Sequence, residues 1–261
     1  MSVRRLLQAE LRNIVRSRWF IVYALLLLGL TDLVFRFGGS GPRAVLSLTN
    51  VVLALVPLVA LVFGTTHIYH AREFIELMLA QPIGRRPLYA ALYGGLSLPL
   101  AGAYAAGVGL PMIWHRGLSG GAAAGLILVA AGVALTFVFT AIAFALALRF
   151  EERAAGLGAA IITWLFTVVI YDGLLLLALV SMGDWPSETP ALVATMLNPV
   201  DLGRVLLLLQ FDLAALSGYT GAVFERFFSG STALLVASTA LLLWIVIPLG
   251  LGLRRFERRD W

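Results

Sequence analysis

The side chains able to do chemistry are few, and their spacing sets what they can do. His67 and His70 stand at i, i+3, which would put two imidazoles on one helical face. Only Glu73 follows at a usable spacing and the chain has no Cys, so the pair reads as boundary polar residues and no metal is expected. Without Cys there is also no disulfide and no thiol nucleophile. Glu151-Glu152-Arg153 lacks companion helical histidines, no G-x-S-x-G or H-E-x-x-H occurs, and a chain without Lys cannot contain a Walker phosphate loop. No catalytic residues are therefore assigned. Any energised work would draw on nucleotide chemistry in another subunit.

Two further charged positions lie inside apolar sequence. Asp32 and Arg36 are one helical turn apart and suit a local pair. Asp172 has no basic residue within four positions, and an intramembrane carboxylate costs a few kcal/mol unless it faces a bundle interior or a wet cavity. Two roles stay open for it. One is an interhelix or substrate-path position, and the other is an outer-interface residue bonded to a Trp, Tyr or hydroxyl neighbour.

The elements that must position these residues are apolar runs at 19–35, 44–66, 88–114, 122–148, 156–182 and 231–253. Each approaches or exceeds the roughly 20 residues a helix needs to cross a ~30 Å hydrocarbon core. Apolar content of 61% and a mean hydropathy of +0.95 exceed what a soluble core can hide. Continuous apolarity without alternation excludes a barrel and requires helices. The expected fold class is all-α integral membrane, with six transmembrane helices and an interfacial helix at the N-terminus. Pro57, Pro99, Pro111 and Pro248 should kink their spans, and Gly94, Gly95, Gly102, Gly107 and Gly109 permit close helix approach.

Arginine placement gives the orientation. With the N-terminus inside, Arg4, Arg5, Arg12, Arg16, Arg18, Arg72, Arg85, Arg86, Arg149, Arg153, Arg254, Arg255, Arg258 and Arg259 share one side, against Arg36, Arg43, Arg116, Arg204 and Arg226 on the other. The positive-inside rule then puts both termini, Met1 and Trp261, in the cytoplasm. The net charge of +5 reports that topology, and nucleic acid is not an expected partner. Residues 1–18 are too charged for a cleavable leader, so the first span is expected to be retained.

Three segments lie outside the spans. Within 1–18, Val3, Leu6, Leu7, Leu11, Ile14 and Val15 recur at helical spacing opposite most of the arginines, which describes a helix lying on membrane lipid. In the inner segment 67–89, Phe74, Leu77 and Met78 form a stripe flanked by Arg72, Glu73 and Glu76, and Pro82 and Gly84 end the helix. Paired acids beside that stripe favour a cytoplasmic protein partner over an anionic leaflet. In the outer segment 183–230, Asn198 and Asp201 can cap a helix whose stripe is Leu202, Val205, Leu206 and Leu209. This predicts a re-entrant or interfacial helix, acting as a lid or as the contact for an extracytoplasmic partner.

An N-terminal interfacial helix, six spans, an inner helix between spans 2 and 3 and an outer lid between spans 5 and 6 together resemble type-two ABC transporter permeases. The segments ELMLAQPIGRRPLY (76–89), AGLGAAIITWLFTVVIYDGLLLLAL (155–179) and MLNPVDLGRVLLL (196–208) narrow this to permeases of the nitrous-oxide reductase maturation type. The likeness runs over essentially the whole chain as a single permease domain, 1–261. It implies a homodimer in the cell inner membrane and two cytoplasmic ABC ATPase subunits carrying ATP and Mg, coupled through the helix around Phe74. It further implies an extracytoplasmic β-helical partner and a role in assembling the copper-sulfur centre of the reductase, by moving or handing on a sulfur or copper species. The alternative expectation is a permease exporting a lipid, peptide or drug. A membrane scaffold or enzyme independent of an ATPase is the remaining class.

Overall fold

In lipid, each backbone donor and acceptor must find its partner within the segment, so the apolar runs close into helices. The computed structural model describes residues 3–37, 42–115, 122–181, 193–208 and 231–259, and these contain helix and no strand. The elements are α1 (Val3–Val15), α2 (Arg18–Phe37), α3 (Pro42–His70), α4 (Arg72–Leu79), α5 (Arg85–Trp114) and α6 (Ala122–Ala147). Next comes α7 (Arg153–Leu165), which passes through a π-helical turn at Phe166–Ile170 into α8 (Tyr171–Ser181). Then come α9 (Pro199–Leu208) and α10 (Ser231–Arg258). Among the described residues, six helical stretches are long and apolar enough to span a membrane.

Several spans run further than their apolar cores suggest. With α3 continuing to His70 and α5 starting at Arg85 the expected inner loop is shorter, and α10 runs on to Arg258, because polar side chains at a helix end can be solvated in the headgroup layer without breaking the helix. All four intrahelical prolines are carried through without interruption.

At the centre, α3, α5 and α6 pack together, α10 leans on α6, and both α1 and α2 lie on α5. Tyr104, Phe139 and Phe144 are fully buried there. Close approach is made by pairing a large ring with an absent side chain. A Cβ on Gly132 would collide with the ring of Tyr104, whose hydroxyl donates to the Leu128 carbonyl at 2.8 Å. Thr49, Thr65, Thr136 and Thr163 satisfy their hydroxyls on carbonyls one turn back. By contrast, α7 and α8 sit at the periphery, where only Gly156 and Ala160 of α7 are buried.

Candidate functional site

The bundle has two ends, distinguished by which groups meet there. At one, the close of α3, all of α4, the start of α5, the close of α6, the start of α7 and the close of α10 converge. Arg72 donates to the Glu151 carbonyl at 2.6 Å and stacks over Tyr69, whose hydroxyl donates to the Phe150 carbonyl at 3.0 Å. Arg85 donates to the carbonyls of Glu257 and Arg259, while Arg86 pairs with the Glu257 carboxylate at 2.6 Å. Arg255 donates to the Ala145 carbonyl at 2.8 Å. The last carbonyls of a helix have no intrahelical partner and carry partial negative charge, so guanidinium groups are their natural caps. Besides marking topology, these arginines tie helix ends together, and Arg72, expected beside the α4 stripe, is one of them.

Against this braced end lies α4, separated from α3 by Ala71 alone; Ala71 and Ile75 continue the backbone ladder to His67 and Ala71 at 2.9 and 2.8 Å. Its inward side is Ile75, fully buried, with Phe74, Met78 and Leu79 packed against the core. Outward are Glu73, Glu76 and Leu77, the last 66% exposed. The stripe expected from Phe74, Leu77 and Met78 is therefore divided. Phe74 and Met78 hold the helix to the bundle, and Leu77 stands out among carboxylates.

Beside it, Glu10 of α1 is buried on Gly95 of α5, with its Oε2 4.0 Å from Nε2 of His67. That burial raises the Glu10 carboxyl above the ordinary carboxylate value. His67 also stacks on Phe144, whereas His70 is exposed, so the two imidazoles diverge.

Towards the other end, residues 193–196 form a helical turn, the helix breaks at Leu197 and Asn198, and α9 follows. The backbone around this break is satisfied by side chains of neighbouring helices. Trp244 of α10 donates to the Met196 carbonyl at 3.0 Å, and Tyr171 of α8 donates to the Ala194 carbonyl at 2.6 Å. The Asn198 Oδ1 accepts from the Val200 N–H at 3.1 Å, capping α9, and its Nδ2 donates to the Thr167 carbonyl at 2.9 Å inside the π turn and to Asp201 at 3.1 Å. Arg204 joins Asp201 at 3.1 Å to Asp172 at 2.7 Å.

Asp172 therefore makes an ion pair between elements, with Arg204 of α9. At 1.5 Å per residue it lies about 28 Å along its helix from Arg153, towards the end of the span away from α4. Arg204 was invisible as its partner because 32 positions of sequence separate them. At the far end of α2, Asp32 pairs with Arg36 at 2.7 Å as expected and also bridges to His115 of α5 at 2.7 Å.

Asn198, Asp201, Leu202 and Leu206, expected as the contact for an extracytoplasmic partner, are all buried within the chain. The apolar stripe of α9 is taken up by the bundle, because the helix packs on α6, α10 and α3. Leu209 lies outside the described residues. No group of three or more His, Asp or Glu side chains able to hold a metal occurs among the described residues.

The family described as ABC-2 family transporter protein matches residues 4–261. The chain is 32% identical to the probable ABC transporter permease protein NosY of Pseudomonas aeruginosa, with 96% of each covered. It is 29% identical to the protein of the same name from Stutzerimonas stutzeri, again with 96% of each covered. Six apolar helices, a braced end carrying α4 and a match over nearly every residue agree: this chain belongs to the ABC-2 family and is a multi-pass membrane permease subunit of an ABC transporter.

Proposed function

We propose that two copies of the chain form the membrane part of an ATP-driven complex in the cell inner membrane, with both termini cytoplasmic. Two separate ABC ATPases, carrying ATP and Mg, dock on α4 and support assembly of the copper-sulfur centre of nitrous-oxide reductase. The observation that carries the reading is the division of α4. Ile75, Phe74 and Met78 fix it to the bundle while Glu73, Glu76 and Leu77 are presented outward. A helix so held transmits a push to α3 and α5 as rigid bodies.

The maturation role rests on the names of the two relatives, both called NosY. Pairing of two copies is supported by the periphery. Asp172 and Arg204 retain 37% and 29% side-chain exposure beside the least covered span, and a second copy would shield that ion pair from lipid. A β-helical extracytoplasmic partner is proposed for the end opposite α4.

In the test, Leu77→Asp should release the co-expressed ATPase in a pull-down while the permease still inserts, and cells carrying it should accumulate nitrous-oxide reductase lacking its copper-sulfur centre. An ATPase that still co-purifies would move the docking site off α4. Released ATPase with a fully assembled reductase would point instead to an exporter of another substrate.

A further inference from the structure

At the braced end, α1, α2, α3, α5 and the start of α7 leave between them a cavity of about 670 Å³, within the roughly 300–1,000 Å³ of small-ligand sites. Part of its wall is apolar, formed by Ile14, Phe20, Val62, Phe63 and Leu96, with the exposed Trp19 also lining it. Cationic or ionisable groups also line it. Arg153 and His70 are both exposed, and neither takes part in an ion pair among the described residues. The Nε2 of His67 is buried without a hydrogen-bond partner, its closest carboxylate oxygen being Glu10 at 4.0 Å. Asn13, Ser17 and Thr66 add neutral polar groups.

These features narrow the occupant. A small hydrated anion would leave the apolar wall wet, and a neutral hydrocarbon would leave Arg153 without a counter-charge. An amphiphile with an anionic oxygen group satisfies both. The cavity also adjoins α1, whose sequence describes a helix on the lipid surface, so such a molecule is available from the adjacent leaflet. We propose that the cavity binds an acidic phospholipid from the leaflet on the arginine-rich side, with its phosphate at Arg153 and His70 and the first part of an acyl chain along Phe20, Phe63 and Leu96. This goes beyond the transport reading and does not depend on the cargo.

Trp19 supplies the reporter. The full chain is reconstituted in zwitterionic vesicles containing either acyl-brominated phosphatidylglycerol or acyl-brominated phosphatidylcholine, and the quenching due to Trp19 is taken as the difference from Trp19→Phe. The acidic lipid should quench at about a tenfold lower fraction than the zwitterionic one, as expected for a charge-assisted phosphate contact. Arg153→Gln and His70→Gln should each reduce that preference, and Arg258→Gln, on the same end but away from the cavity, should leave it intact. Equal quenching by the two lipids would overturn the proposal, as would an equal loss with Arg258→Gln, which would reduce the effect to general surface charge. Relief of quenching by inorganic phosphate would assign the site to a soluble anion and would also overturn it.

Discussion

The two ends of the bundle handle charge in different ways. At the α4 end, Arg72, Arg85 and Arg255 donate to main-chain carbonyls in or beside neighbouring helix ends, and the carboxylate pair of Arg86 with Glu257 lies at the surface. Towards the far end, Arg204 is spent on the carboxylates of Asp172 and Asp201. A carbonyl cap costs little to expose, because water or lipid headgroups can replace it at the boundary. A carboxylate left behind in an apolar surround cannot be replaced so cheaply. The first end is braced and tolerant, whereas the second is a latch whose parts depend on one another and which grips the π turn of the least covered span.

The sharpest way to break that contrast is Arg204→Ala. It strands two carboxylates, one of them nearly fully buried, and should cost about 3 kcal/mol, read as a lower unfolding midpoint in mild detergent. Adding Asp172→Asn and Asp201→Asn together should recover much of the loss. Without recovery, the cluster is not an electrostatic latch. Leu202→Ala should come next, at about 2 kcal/mol for a cavity under α6, while Leu77→Ala leaves the midpoint unchanged. Equal effects would contradict the inward and outward assignment of these two leucines.

At the braced end, Arg85→Gln removes two carbonyl caps and should cost only about 1 kcal/mol. The effect should appear as faster amide exchange at the close of α10 with little change in the global midpoint. Smallest is the effect at Glu10. A carboxyl raised by burial holds its proton more tightly in the docked state, so α1 is most firmly docked at acid pH and loosens as pH rises through the raised Glu10 value. Protease access to α1 should increase over that range, and Glu10→Gln should flatten the dependence.

How much of this was legible follows from the range of the interactions. Helix number and type came from continuous apolar runs, since the bilayer leaves the backbone no alternative. The position of α4 came from Arg72 to Met78 set between a span and Pro82. Its inward face was only half legible, because Ile75, the residue that anchors it, sits outside the Phe74-Leu77-Met78 spacing. The helix α9 was legible as a helix through Asn198, and its burial was not: an amphipathic stripe looks the same whether it meets lipid, a partner or α3, α6 and α10 of its own chain. Pairings such as Asp172 with Arg204 or Glu10 with His67 join elements far apart in sequence and carry no local mark.

The most direct test of the central claim uses the absence of cysteine from the chain. A single Glu76→Cys alkylated with a maleimide photocrosslinker should form a crosslink to the co-expressed ATPase on illumination, and a single Leu197→Cys labelled in the same way, on the exposed turn before α9, should form none. A crosslink that appears at residue 76 and changes in yield when ATP is bound is the result expected of a permease driven through α4. Absence of any crosslink at 76, in protein that inserts and co-purifies with the ATPase, would contradict it.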